Sequence, residues 1–224
     1  MKRLTLILFS LSLAVLSPVV ARAERLSFVK EQVETAVVKN TFVGQDAFGT
    51  PLVIKWAREG NTEALSQISK DEIQTKDRYN NNLFHVAKNA KTVQTIAGLI
   101  RRFYGAKALP LIETMINQRN SLGETPLFAQ INAGHTDTFR PLYDYSILKK
   151  KNETARNQLA RQQGIPEKIV SQNKAFYCNN IRQLTTDNAG RTLLQAAQGQ
   201  VPYHKEMAPL AQALPQIIPC LAQD

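Results

Sequence analysis

The stretch NSLGETPLFAQINAGH, residues 120–135, limits the possible folds of this chain more than any other feature of it. Gly123 supplies a turn at φ > 0, which a residue without Cβ adopts cheaply. Thr125 offers a hydroxyl to the orphan N–H groups at a helix start, and Pro126 takes the first helical position, where its missing donor costs nothing. Leu127, Ala129, Ile131 and Ala133 give the helix an apolar face, Gly134 stops it, and His135 opens the return. The stretch therefore encodes a turn, a capped two-turn helix and a second turn.

Gly123, Thr125, Pro126, Leu127, Gly134 and His135 resemble the ankyrin repeat, whose signature is G-x-T-P-L-H-x-A followed by G-H. Phe128 stands where the family carries His, and the alanine is displaced to the neighbours of Ile131. These departures touch helix packing and leave the turn chemistry intact. The family period is about 33 residues, so copies should recur along the chain. Asp77, Asn80, Asn82, Phe84, His85 and Ala87 fit the frame one step back. Asn80 takes the glycine position, as the best non-glycine occupant of the left-handed region, and Asn82 replaces the threonine cap. Further back, Asp46, Gly49, Thr50, Pro51 and Leu52 repeat the pattern with the glycine one place late, and Gly60 and Asn61 close the helix. Forward, Asp187, Gly190, Thr192, Leu194 and Ala197 form a fourth copy. Leu127 and Leu194 lie 67 residues apart, close to two periods, so a degenerate copy is expected between them, with its helix and stop at residues 159–164. From Phe84 to Leu127 the step is 43, and the surplus is assigned to residues 96–110. The resemblance implies an all-α ankyrin-repeat solenoid of about 4–5 degenerate helix-turn-helix repeats with helical caps.

Residues 1–23 read as a signal peptide to be removed: Lys2 and Arg3, an apolar run over residues 4–20, and Ala21-Arg22-Ala23 as an A-x-A cleavage site. The reading is export, with a soluble periplasmic protein beginning near Glu24. Residues 24–224 then form a single domain: an N-terminal cap helix at 24–45, repeats at 46–199 and a C-terminal cap at 200–224. Leu26, Val29, Val33, Ala36 and Val37 carry the apolar face of the first cap. Export also bears on Cys178 and Cys220. In an oxidising compartment the pair suggests one disulfide, closing a 42-residue loop and stabilising by about 3–4 kcal/mol; two buried free thiols are the alternative. The formal charge of +10 falls to about +7 without Lys2, Arg3 and Arg22, which in an exported protein indicates acidic partners, anionic polymers or solubility rather than nucleic acid. The densest basic run, Lys149 to Lys151, reads as a solvated face.

Residues 101–116 look helical on both sides of a break at Gly105 and Pro110, and the proline-punctuated C-terminal stretch reads as short helical pieces. Trp56 falls in the first inner helix, either filling the core or lining a concave face.

Chemistry is sparse. The three histidines form no triad and no zinc spacing: His85 and His135 occupy positions with structural work, and His204 is isolated. S-x-x-K occurs at Ser27, Ser146 and Ser171 without a companion K-T-G, and no phosphate loop or calcium loop is present. The expectation is a protein that is not an enzyme, with no catalytic residues, metal or cofactor.

Binding remains. The turn tips carry Ala47 and Phe48, Arg78, Tyr79 and Asn81, Ser121, Leu122 and Glu124, and Asn188 and Arg191. Phe48, Tyr79 and Leu122 are apolar or aromatic at positions that face solvent in the family, and with Arg78 and Arg191 they match the make-up of interface hot spots. Lys88, Asn89, Gln130 and Asn132 are expected to face the groove of the inner helices. The chain is similar in architecture to exported ankyrin proteins of predatory bacteria. That resemblance implies an inhibitor or immunity protein that caps a penicillin-binding-type DD-endopeptidase or carboxypeptidase in a one-to-one complex, protecting its producer. A scaffold or chaperone for an envelope enzyme such as a catalase, and an electrostatic binder of anionic cell-surface polymers, are the alternatives.

Overall fold

The structure is a computed structural model and describes residues 44–162 and 164–223. The leader expected at 1–23, and all but the last two residues of the cap expected at 24–45, lie outside the described residues. The described chain is all-α. In order it runs α1 (Leu52–Glu59), α2 (Thr62–Ser66), α3 (Ala90–Tyr104), α4 (Ala108–Asn117), α5 (Pro126–Asn132), α6 (Phe139–Tyr145), α7 (Ile147–Ala160), α8 (Glu167–Thr185), α9 (Leu193–Gln200) and α10 (Met207–Ile217), with short 3-10 turns between. Among the described residues the only β-type pairings are two isolated antiparallel bridges, Gln45 with Pro51 and Thr186 with Thr192, each flanking a turn.

Four turns share one construction. Asp46, Asp77, Asn120 and Asp187 each begin a turn in which their own N–H donates to the carbonyl four residues on, at 2.8–3.1 Å. The side-chain Oδ1 of each accepts the N–H groups two and four residues on, all at 2.9–3.0 Å. The residue three on is left-handed: Gly49, Asn80, Gly123 and Gly190, with φ of 76°, 62°, 77° and 79°. An Asp or Asn side chain thus imitates a backbone carbonyl and satisfies donors that would otherwise need water. In the first turn Gly49 holds the same offset from Asp46 as its counterparts, which corrects the expectation of a late glycine. The Thr-Pro pair is what moved. Pro51 consequently falls at the N-cap of α1 and offers no cap, whereas Thr125 and Thr192 cap α5 and α9, the latter as a capping box with Gln195.

The second, third and fourth turns are joined by backbone. Ser121 N–H donates to the Tyr79 carbonyl at 2.9 Å, and Asn188 N–H to the Leu122 carbonyl at 3.1 Å. The fourth turn therefore abuts the third directly, and α9 packs on α5. This overturns the degenerate copy expected between them. Residues 159–164 instead end α7 and link it to α8, and the two helices pack together as an inserted hairpin. The surplus between the second and third turns is similarly a whole helix, α4. Gly105 ends α3 as expected, but Pro110 lies in the first turn of α4, where a missing N–H breaks nothing. The C-terminal stretch forms short helical pieces as expected: α10, which carries Pro209 near its start and Pro215 inside it, and a closing 3-10 turn, Pro219–Gln223.

The core runs through these layers: Ile54, Phe84, Ile96, Ile112, Ile131, Leu142 and Leu214 are fully buried. Cys178 and Cys220 are disulfide-bonded, with Cα atoms 5.0 Å apart, tying α8 to the closing 3-10 turn Pro219–Gln223. Among the described residues no helix is long and apolar enough to cross a membrane.

Candidate binding surface

The second residue after each turn-initiating Asp or Asn is its apex: Phe48, Tyr79, Leu122 and Ala189. The backbone N–H of each apex residue is consumed by the Oδ1 of the residue two before it, and the Tyr79 and Leu122 carbonyls are consumed by the next turn. Their side chains are what is left to present. Phe48 is 87% exposed, Tyr79 53% and Leu122 62%. Three large apolar groups share one structural position, and the two whose carbonyls bond the next turn, Tyr79 and Leu122, need no ordering before contact with a partner. The Arg78 guanidinium lies over the Tyr79 ring, 4.8 Å from its centroid. A small cleft of ≈ 90 Å³ separates Phe48 from Tyr79 and is flanked by Arg58 and Arg78. Between Tyr79 and Leu122 opens a larger groove of ≈ 470 Å³ that reaches the buried His85 and Gln130. Ala189 ends the apolar row at the fourth turn.

Several residues expected to meet a partner also make bonds within the fold. Gln130 is buried, and its Nε2 donates to the Phe84 carbonyl at 3.3 Å and the His85 carbonyl at 2.7 Å, while its Oε1 lies 2.7 Å from His135 Nδ1. Glu124 is also buried: it accepts from Asn120 at 3.1 Å and Asn132 at 3.0 Å, and lies 3.7 Å from Arg191. Arg191 is anchored chiefly on Asp187 at 2.8 Å. Burial pushes the Asp187 carboxyl up, but the Arg191 backbone N–H and guanidinium together hold it below its usual range. Asn89 caps α3 through the Thr92 N–H at 2.9 Å, and half-buried Asn81 accepts from Asn120 Nδ2 at 3.0 Å. Trp56 is half-buried and packed on the core. Ser121 is exposed beside the row, and Lys88 is exposed next to Gly60 at the end of α1. Ten of the expected residues thus fall into a presented row (Phe48, Arg78, Tyr79, Ser121, Leu122) and a bracing network (Asn81, Glu124, Gln130, Asn132, Arg191), with Trp56, Lys88 and Asn89 outside both.

His85 belongs to the brace. Its Nδ1 accepts the Asn82 N–H at 3.2 Å, so its Nε2 carries the proton and donates to the Glu124 carbonyl at 3.1 Å. Burial lowers its pKa to about 4 against the opposing pull of the Glu124 carbonyl, so the ring is neutral at physiological pH. Among the described residues no cluster of His, Cys, Asp or Glu could hold a metal ion.

Arg58, beside the small cleft, was not singled out by the sequence. It lies 3.4 Å from Asp77, a pairing with no local signature. The hairpin groove between α7 and α8 was also missed: ≈ 320 Å³, lined by Ala155, Phe176, Tyr177 and Ile181 with Lys150 and Lys151. The chain matches no known family model and no curated protein.

Proposed function

We propose that this is an ankyrin-type solenoid, exported to the periplasm, that binds a folded protein through the apex row and performs no chemistry itself. The observation that carries the reading is the placement of Phe48, Tyr79 and Leu122: one turn position, three copies, large and apolar each time, on backbone held rigid from behind. Aromatic side chains with an adjacent arginine on a pre-ordered surface are the composition of interface hot spots. The solenoid assignment is supported by the shared turn construction, the threonine caps and the backbone links between turns.

The partner is proposed from the resemblance given above: a DD-endopeptidase or carboxypeptidase of the penicillin-binding type, capped one-to-one so that the producing cell's wall is spared. The bracing network supports a capping role, because a rigid row can block an active-site mouth without being remodelled by it. The polymer-binding alternative would draw on the basic run, in which Lys149 pairs with Asp144 at 2.9 Å and Lys150 with Glu113 at 2.5 Å while Lys151 stays exposed.

The test is to titrate the purified protein into such a peptidase while following cross-link cleavage. Activity falls in proportion to added protein and is abolished at one equivalent. Tyr79→Ala with Leu122→Ala weakens the complex by about 2 kcal/mol or more, roughly thirtyfold in Kd. A stable complex with undiminished activity would shift the reading to a scaffold, and no complex would remove the partner assignment.

A further inference from the structure

The inserted hairpin of α7 and α8 carries a second surface, made from residues outside the apex row. Its two helices do not close on each other along their length. Ala155 and Ile181 are buried where they meet, and beside them a groove of ≈ 320 Å³ is left open, lined by Ile147, Thr154, Phe176, Tyr177 and Asn180. Phe176 is 64% exposed at its edge, against the half-buried Tyr177 ring at 5.7 Å. On the other wall stand Lys150 and the exposed Lys151. The charge of the whole hairpin points the same way: residues 147–185 hold eight Lys or Arg against two Glu, so most of the chain's surplus of +10 sits on this one insertion.

We infer that this groove receives an amphipathic helix of a partner protein, apolar side chains seated between α7 and α8 and acidic side chains along the lysine wall. An apolar trough about two helical turns long, with one exposed aromatic at its lip, is the form in which an amphipathic helix is usually held, its anchors spaced i, i+3 or i+4, and i+7. Charge decides the flank. A basic helix would bring like charge against Lys151 and the field of the hairpin, whereas glutamates are drawn to it. A flat anionic membrane is the less fitting occupant, because a trough between two helices admits side chains and not a bilayer plane. Insertions in repeat proteins commonly supply such a further binding face. The proposal is independent of the apex row and of any inhibitory role.

The experiment uses the purified protein and three probes followed by fluorescence anisotropy or sedimentation. These are a labelled helical peptide with leucines at i, i+4 and i+7 flanked by glutamates, the same peptide with lysines in place of the glutamates, and phosphatidylglycerol vesicles. The acidic peptide binds, the lysine version does not, and Phe176→Ala or Lys151→Glu each weakens binding about tenfold while Tyr79→Ala leaves it unchanged. Because Phe176 and Lys151 are exposed, circular dichroism of both variants stays that of the parent. Equal binding of the two peptides, indifference to both hairpin variants, or vesicle binding with no peptide binding would overturn the inference.

Discussion

The turn stack and the inserted hairpin are both helical and both rest on the same core, but they are held by different means. In the stack each turn is closed by the same backbone and Asp/Asn bonds, and Ser121 and Asn188 carry the connection from one turn to the next. In the hairpin α7 and α8 meet through a few buried side chains, and the far helix is fastened to the C-terminus by the Cys178–Cys220 bond. A region built from short, local bonds tolerates large insertions between its units, because the ends it must join lie close together whatever is looped out. The hairpin is instead tied to the rest by long-range bonds, the disulfide and the Asn152 amide on the Ile217 carbonyl at 2.6 Å among them.

The sharpest way to break this comparison is to cut the tie. Replacing Cys178 and Cys220 by serine is expected to lower stability by about 3–4 kcal/mol, for a closed loop of 42 residues. Hydrogen exchange should quicken across α8 and α10 before it quickens in the turns; uniform quickening would mean that the two regions are one cooperative unit. Acid attacks the stack instead. His85 has a folded pKa of about 4, below the unfolded value of 6.5, so its neutral form favours the fold. Its stabilisation is complete above pH 6.5, declines as pH falls toward 4, and amounts to about 3 kcal/mol. His135, lowered by burial and by Lys88, titrates in the same direction. Urea midpoints measured from pH 7 to pH 4 should fall for the parent and fall less for His85→Gln. Asn120→Ala removes two turn acceptor contacts, one buried and one half-buried, and the link to Asn81, and is expected to cost about 2 kcal/mol in the same urea assay. Gly164→Ala in the hairpin should cost about 1 kcal/mol. There φ is 86° and the new Cβ meets nothing within 4 Å, so only backbone strain counts.

The stack was legible in the sequence because its signals are local. An Asp or Asn, a left-handed residue three on, and a Thr-Pro or Thr-x cap can each be read without knowing what lies opposite. The hairpin was not legible, because its 39 residues approximate one repeat period and so passed for a degenerate copy. Its helices are mostly polar, and packing of a few residues such as Leu148, Ala155, Cys178 and Ile181 shows which way they face. For the site, exposure of Phe48, Tyr79 and Leu122 followed from turn position. Burial of Glu124 and Gln130 did not, since Gln130 is satisfied by the His85 carbonyl 45 residues away. A polar side chain read alone looks like surface until its distant acceptor is known.

Hydrogen exchange of the protein with and without the proposed peptidase tests the central claim most directly. Protection on binding should appear at the three apices, residues 47–49, 78–80 and 121–123, with the hairpin unchanged. Protection that leaves those apices untouched would contradict the account.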